Sequence, residues 1–221
     1  MEYSKSLFHF AVDSKIRFVY ASSASVYGNG DDGFSVGKSA ENPLNFYANS
    51  KYAFDRYVTP LLPKITSQVV GLRYFNVFGM QENHKGRMAS VVYHFHHQIR
   101  ESGSFRLFEG SENFKRDFIF VEDVCSVNSF FLDNANFSGL YNCGTGVSHS
   151  FLDIADIIKT LYDSATCEFI PFPKKLEGKY QSFTEADIAP LIDLGYKVPF
   201  TSLESGVTQY VESLKNKQGY L

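Results

Sequence analysis

The sequence contains no tryptophan, three cysteines and three methionines in 221 residues, and each shortage removes a class of protein. Cys125, Cys143 and Cys167 are odd in number and lack metal-ligand spacing. They predict neither a disulfide framework nor a zinc site, and a reducing cytoplasm is the expected compartment. No apolar run reaches the roughly 18–20 residues needed to span a bilayer. The first residues, MEYSKSLFHFAVDSK, lack the basic, apolar and small-residue regions of a secretory signal. Positive charge is not in excess either, with 21 Lys+Arg against 24 Asp+Glu and a formal net charge of -3. That balance argues against nucleic acid or an anionic membrane as the main partner. Proline (7) and glycine (16) are too few for a collagen or a low-complexity linker. Internal repeats are missing as well.

Apolar and aromatic residues are plentiful: 44% of the chain is hydrophobic, with 22 Phe and 14 Tyr. A chain of this length buries a sizeable core without a disulfide or metal staple. Length alone suggests one large domain, or one and a piece of another. Residues 3–12 read as the end of a helix, with Leu7, Phe8, Phe10 and Ala11 marking an apolar face. Ile16 to Ala21 reads as a strand covered on both faces, and Gln68 to Phe75 as a second. Further strands are expected at Phe105–Phe108, Phe118–Val121, Leu140–Asn142 and Glu168–Pro171. Helices are expected at about Asn45–Leu61, Met88–Glu101, Glu122–Leu132, Phe151–Tyr162, Thr184–Leu194 and Ser202–Asn216. This alternation predicts an α/β fold with a parallel sheet.

A dinucleotide-binding half normally opens with a strand, G-x-G-x-x-G and a helix. The one glycine-spaced candidate, Gly144-Thr145-Gly146, lacks the third glycine and reads as an ordinary strand-to-helix turn with Ser148 or Ser150 as cap. Glu122-Asp123 reads as the charged first turn of its helix. His94, His96 and His97 have no paired carboxylate nearby in sequence, so no metal site is expected.

Three segments carry chemistry: Tyr20-Ala21-Ser22-Ser23-Ala24-Ser25-Val26-Tyr27-Gly28, then Tyr47-Ala48-Asn49-Ser50-Lys51, then Arg73-Tyr74-Phe75-Asn76-Val77-Phe78-Gly79. Tyr47 and Lys51 are four apart and share one helix face. A phenol with a pKa of about 10 is a poor base at neutral pH, and a nearby ammonium favours its phenolate. Ser23 sits past the carboxyl end of a parallel strand, where open α/β sheets place ligands. Ser, Tyr and Lys so arranged suit hydride chemistry at a secondary alcohol. Y-x-x-x-K alone is a weak signal; the Ser-rich loop before it and R-Y-F-N-V-F-G after it make it specific.

With these segments the chain resembles the extended short-chain dehydrogenase/reductase (NAD-dependent epimerase/dehydratase) family of nucleotide-sugar enzymes. His84-Lys85-Gly86, Met88-Ala89-Ser90-Val91, Phe108-Glu109-Gly110-Ser111-Glu112-Asn113-Phe114-Lys115-Arg116-Asp117-Phe118, Asn142-Cys143-Gly144-Thr145-Gly146, Ile170-Pro171-Phe172-Pro173 and Gly178-Lys179-Tyr180-Gln181 extend the likeness. Within that family they resemble the heptose 6-epimerase branch, which acts on ADP-linked sugars in lipopolysaccharide inner-core precursor synthesis. Arg87 stands where that branch has a small residue, and Met80 where it has proline.

The resemblance implies an incomplete Rossmann-like parallel sheet, with strands 1–3 absent, and a smaller C-terminal α/β substrate-binding domain. Residues 1–80 would be the C-terminal part of the cofactor domain and residues 81–221 mainly the substrate domain, with 117–145 returning to the first. It implies catalytic roles for Tyr47, Lys85 and Ser23, and cofactor contacts from Lys51, Val77 and Lys85. Asn76, Arg87, His94, Phe108, Glu109, Gly110, Ser111, Arg116 and Tyr180 would bind the nucleotide sugar. The implied cofactor is NADP, with NAD as the alternative, and the implied reaction is epimerisation of ADP-D-glycero-D-manno-heptose at C6''. It further implies a cytoplasmic homo-oligomer when full length and an N-terminally truncated chain that is inactive alone, with a separate N-terminal fragment as an alternative partner. A 4-epimerase, a 4,6-dehydratase or a non-catalytic nucleotide-sugar-binding remnant are the alternatives.

Overall fold

In the computed structural model of the chain, the described residues are 1–37, 40–174 and 181–216. The order is α1 (Glu2–Asp13), β1 (Phe18–Ser23), α2 (Phe46–Val58), β2 (Val69–Tyr74), β3 (Asn76–Phe78), α3 (Val91–Ser102), β4 (Ser104–Phe108) and β5 (Lys115–Phe120). There follow α4 (Val121–Asp133), β6 (Gly139–Cys143), β7 (Ser148–Ser150), α5 (Phe151–Leu161), β8 (Thr166–Ile170), α6 (Ala189–Asp193) and α7 (Leu203–Lys215).

The expected α/β class is observed, with a Rossmann-like parallel arrangement. Strand order in the first sheet is β1-β2-β6, all parallel, with Phe18 opposite Val69 and Val70 opposite Gly139. A second sheet, β3-β5-β7, pairs β3 and β5 in parallel and β5 and β7 antiparallel. Strands β4 and β8 form a separate parallel pair. In β2 five of six residues are buried, as a strand with neighbours on both edges requires. Gly71 in this strand is obligatory: a Cβ there would meet Leu140 and the Tyr20 ring at 2.5 Å.

One apolar cluster joins β2, β5 and α4 through Val70, Leu72, Ile119, Val127 and Phe131. A larger one packs α3, α5 and α7 around Phe95, Phe105, Ile154, Val207 and Tyr210.

Two expectations need correction. Strand β1 is not covered on both faces; Ser22 alone is buried and Ala21 is exposed, because β1 lies at the edge of its sheet. The helix expected at Thr184–Leu194 is confined to Ala189–Asp193. Upstream, Phe183 bridges Lys115 in parallel, with the Lys115 N–H on the Ser182 carbonyl and the Thr184 N–H on the Lys115 carbonyl, so this segment runs extended beside β5 instead of coiling. The turn Gly144–Gly146 leads as expected to a capped helix: Ser150 and Asp153 form a reciprocal capping box on α5.

Candidate active site

The end of β1 and the face of α2 meet through polar side chains. Asn45 caps α2 by accepting the Ala48 N–H at 2.9 Å, which sets the phase of the helix. Tyr47, Lys51 and Asp55 then recur every four residues along one face. The Lys51 ammonium donates to the Ala21 carbonyl at 2.8 Å and lies 5.8 Å from the centre of the Tyr47 ring. Tyr47 is 58% exposed, so its phenol is open to a ligand. Ser23 closes β1 in extended conformation, and its hydroxyl accepts from the Ser25 amide at 3.2 Å and the Ser25 hydroxyl at 3.0 Å. The loop returns at Gly28, where φ is +60° and a Cβ would stand 2.0 Å from the Asn42 carbonyl oxygen.

Beneath this surface lies a buried ionic anchor that sequence reasoning missed. Asp55 accepts from the Ser22 hydroxyl at 2.8 Å, the Tyr20 hydroxyl at 3.1 Å and Arg73 Nε at 2.9 Å. Arg73, on β2, is 1% exposed; it also donates to Glu41 at 2.9 Å and lies 4.9 Å above the Tyr27 ring. Burial, then the Asp55 charge, pushes the Tyr20 phenol far above its ordinary value. The signal was present as a carboxylate that continues the four-residue spacing of Tyr47 and Lys51.

The remaining expected residues fall on a second group of segments. Asn76 is exposed and Val77 half-buried on β3. Lys85 and Arg87 are exposed on a short 3-10 turn, Asn83–Met88, and Lys85 Nζ stands 3.5 Å from the buried Glu82 carboxylate. His94 is half-buried on α3. Its neighbour His96 is buried and hydrogen-bonded to the Tyr162 hydroxyl; burial and nearby cations lower its pKa to about 4. Among the described residues no cluster of three or more His, Cys, Asp or Glu side chains could hold a metal.

Phe108 to Ser111 turn away from β4 through Gly110, at φ +77°. Val91, Phe95, Phe108, Ser111, Phe114 and Phe172 line a slot of about 120 Å³ there. Phe114 and Phe172 stack with centroids 5.0 Å apart, and the Ser111 hydroxyl is buried with no hydrogen-bond partner among the described residues. Glu109 is exposed, its amide tied to the Ile170 carbonyl at 2.9 Å. Arg116 is 5% exposed, with its guanidinium on the Lys115 carbonyl at 2.9 Å and on the Gln181 carbonyl. Tyr180 lies outside the described residues.

Asp117, also missed, ties this region together. Its carboxylate accepts from Thr145 N, Thr145 Oγ1, Gly146 N and Ala186 N at 2.8–3.0 Å. Burial raises its pKa against the lowering effect of those bonds. Asp123 likewise serves more than its own helix, accepting from Thr201 N at 2.9 Å and Thr201 Oγ1 at 3.0 Å.

The structure thus groups Ser23, Tyr47 and Lys51 at the end of β1. Lys85 stands on a separate segment, and no hydrogen bond or ion pair among the described residues joins it to Tyr47. A cavity of about 370 Å³ runs along the outer side of β1, lined by Val19, Ala21, Ser50 and Lys51 among others. A larger one, about 700 Å³ between residues 145–149, α5 and α7, contains none of the expected site residues.

This constellation on a Rossmann-like sheet defines a class, and the chain belongs to the NAD dependent epimerase/dehydratase family, which matches residues 1–144. The chain is 55% identical over 222 residues to ADP-L-glycero-D-manno-heptose-6-epimerase of Brachyspira hyodysenteriae, covering 100% of this chain and 70% of that protein. A crystal structure of ADP-L-glycero-D-manno-heptose-6-epimerase from Helicobacter pylori superposes with a TM-score of 0.81 at 34% identity, over 95% of this chain and 63% of that one. UDP-N-acetylglucosamine 4-epimerase from Methanobrevibacter ruminantium superposes equally well, TM-score 0.81, at 24% identity, a likeness of fold alone; it covers 98% of this chain and 69% of that one. The chain therefore spans somewhat under two thirds of the Helicobacter protein. Among the described residues no helix is long and apolar enough to cross a membrane.

Proposed function

We propose that the chain carries the acid/base and sugar-binding residues of an epimerase that inverts C6'' of an ADP-linked heptose. The observation that carries the reading is the open Tyr47 phenol beside Lys51 at the carboxyl end of β1. The 55% identity to a heptose epimerase supports the substrate class. Lys51 lines the cavity along β1 and suits a ribose hydroxyl at the nicotinamide end of a dinucleotide, which we take to be NADP, and Val77 would touch that end as well, whereas the described residues include no glycine-rich turn for the pyrophosphate. When bound, that group supplies a reversible hydride acceptor.

Tyr47 would take the proton of the C6'' hydroxyl while that carbon is oxidised to a ketone. Ser23 donates a hydrogen bond to the same oxygen. Turning the side chain of the sugar would present the other face of the ketone, and Lys85 would protonate the oxygen as that carbon is reduced again. Two acids on opposite sides are needed because the two epimers point their hydroxyls in opposite directions. The aromatic slot with the orphaned Ser111 hydroxyl suits a flat, hydrogen-bonding base, and Arg116 and Arg87 suit the pyrophosphate. Asn76, His94, Phe108, Glu109 and Gly110, with Tyr180, complete the sugar-nucleotide surface in this reading.

Two measurements test it. Calorimetry on the chain should give tighter binding of an ADP-sugar than of a UDP-sugar; equal affinity overturns the base assignment. In an NADP-loaded holoenzyme rebuilt to the full length of its relatives, Tyr47→Phe and Lys85→Met should each lower the epimerisation rate about 10²–10⁴-fold, with nucleotide-sugar affinity largely kept. Either variant retaining more than about a tenth of the rate removes that residue from the acid/base pair.

A further inference from the structure

Residues 82–90 form a short loop between β3 and α3, and the whole loop closes on one carboxylate. Glu82 is 1% exposed. Its Oε2 accepts from the Ser90 amide at 2.9 Å and its Oε1 from the Ser90 hydroxyl, while its backbone carbonyl accepts from the Lys85 amide at 2.9 Å. Lys85 Nζ, on a side chain 39% exposed, stands 3.5 Å from the same Oε2. The chain reverses at Gly86, φ +52°, directly after that lysine.

Pinning the loop does not by itself require a charge. A neutral amide could accept the Ser90 N–H through its oxygen and donate to the Ser90 hydroxyl through its nitrogen, with no ion to desolvate. Burying a carboxylate costs free energy unless donors and an opposite charge offset it. Behind Glu82 lies the Tyr210 phenol, which is buried and neutral, its pKa driven upward by burial and then by this carboxylate. Lys85 is the cation that the described ion pairs place on Glu82.

We propose that Glu82 is a positioning residue, whose charge holds the Lys85 amine at a fixed point of the reversed loop. The inference rests on the acid/base reading of Lys85 and adds a residue to it. Lys85 has four rotatable bonds and ends in solvent, so an unanchored amine would sample many positions away from a substrate oxygen. The carboxylate is fixed twice by Ser90 and so supplies a rigid reference for that search. Glu82 itself touches no substrate.

Competitive acetylation of amines in the chain, read by mass spectrometry against Lys64, measures the pair directly. Glu82→Gln should raise the Lys85 labelling rate about 2–5-fold, the range in which partly exposed ion pairs act. Glu82→Asp, which keeps the charge, should restore part of the protection. In the holoenzyme, Glu82→Gln should lower kcat at least about tenfold with KM within about twofold. The double variant Glu82→Gln/Lys85→Met should be no slower than Lys85→Met alone. Ser90→Ala, which removes the cap of α3 and one of the two bonds that fix the Glu82 carboxylate, should cost thermal stability and lower kcat by less than Glu82→Gln does. Unchanged labelling, or additive losses in the double variant, would overturn the proposal. Full activity in Lys85→Met would instead overturn the acid/base reading beneath it, and Glu82 would have nothing to position. If Glu82→Gln fails to fold, Glu82→Asp and the Lys85→Met background carry the same comparison.

Discussion

Asp55→Ala should be among the most damaging single substitutions near the site, although Asp55 is only 1% exposed. Three donors converge on this carboxylate: Ser22 Oγ, the Tyr20 hydroxyl and Arg73 Nε. Removing it strands a guanidinium that is itself 1% exposed, and breaking a buried pair from one side typically costs about 3–5 kcal/mol. Two hydroxyls lose their acceptor as well, at about 1 kcal/mol each. Against this, Arg73 keeps its second partner, Glu41, at 2.9 Å, which retains part of its compensation. The expected net loss is about 3 kcal/mol. With a urea dependence of about 2 kcal/mol per molar, the unfolding midpoint followed by far-ultraviolet circular dichroism should fall by about 1.5 M at unchanged slope. Asp55→Asn, which keeps one acceptor and the volume, should fall by about half as much. A midpoint shift under about 0.3 M in the alanine variant would refute the idea that a buried charge network fastens α2 to the sheet. Because Lys51 precedes Asp55 by one turn, the same variant should also loosen the Lys51–Ala21 bond that places the site.

Two further outcomes follow from buried groups elsewhere. The His96 pKa is lowered from 6.5 to about 4, chiefly by burial. Between those values the unfolded chain takes up a proton that the folded chain refuses, so this stability is complete above about pH 6.5 and is lost as pH falls towards 4. A loss of about 1–2 kcal/mol is expected after allowance for screening at the ring edge, and His96→Phe should flatten that part of a pH–stability curve; an unchanged curve would refute the assignment. Gly144→Ala should destabilise by about 1–3 kcal/mol, because its Cβ would lie 2.6 Å from the Ala186 Cβ and 2.7 Å from Asp117 Oδ2. Thermal melting checks this, and a midpoint equal to that of the parent would mean that the Asp117 clamp yields freely.

The parts of this molecule that were legible in the sequence share one physical property: they depend on local pattern. Apolar runs marked β2 and the edges of α5 and α7 because burial repeats at the period of the element. The four-residue spacing of Tyr47 and Lys51 fixed a shared face before any contact was known, and the cap of α5 was narrowed to Ser148 or Ser150, of which the structure selects Ser150. What escaped depends on groups far apart in the chain. Asp117 reaches residues 145 and 186, Asp55 reaches 20 and 73, and no window of neighbouring residues contains those partners. The overextended helix before Ala189 failed for the same reason, since residues 182–184 pair with Lys115 on another strand. Short strands β3 and β7 carry too few residues for a period and exist because β5 lies between them. The candidate site divides along the same line. The proposed acid/base groups sit in motifs that a reader of sequence can find, whereas the bonds by which Glu82 and Asp55 tie their segments show only through distances. Glu82 stands within three residues of Lys85 and was still passed over, because nothing in H-K-G tells a solvated acid from one that is 1% exposed.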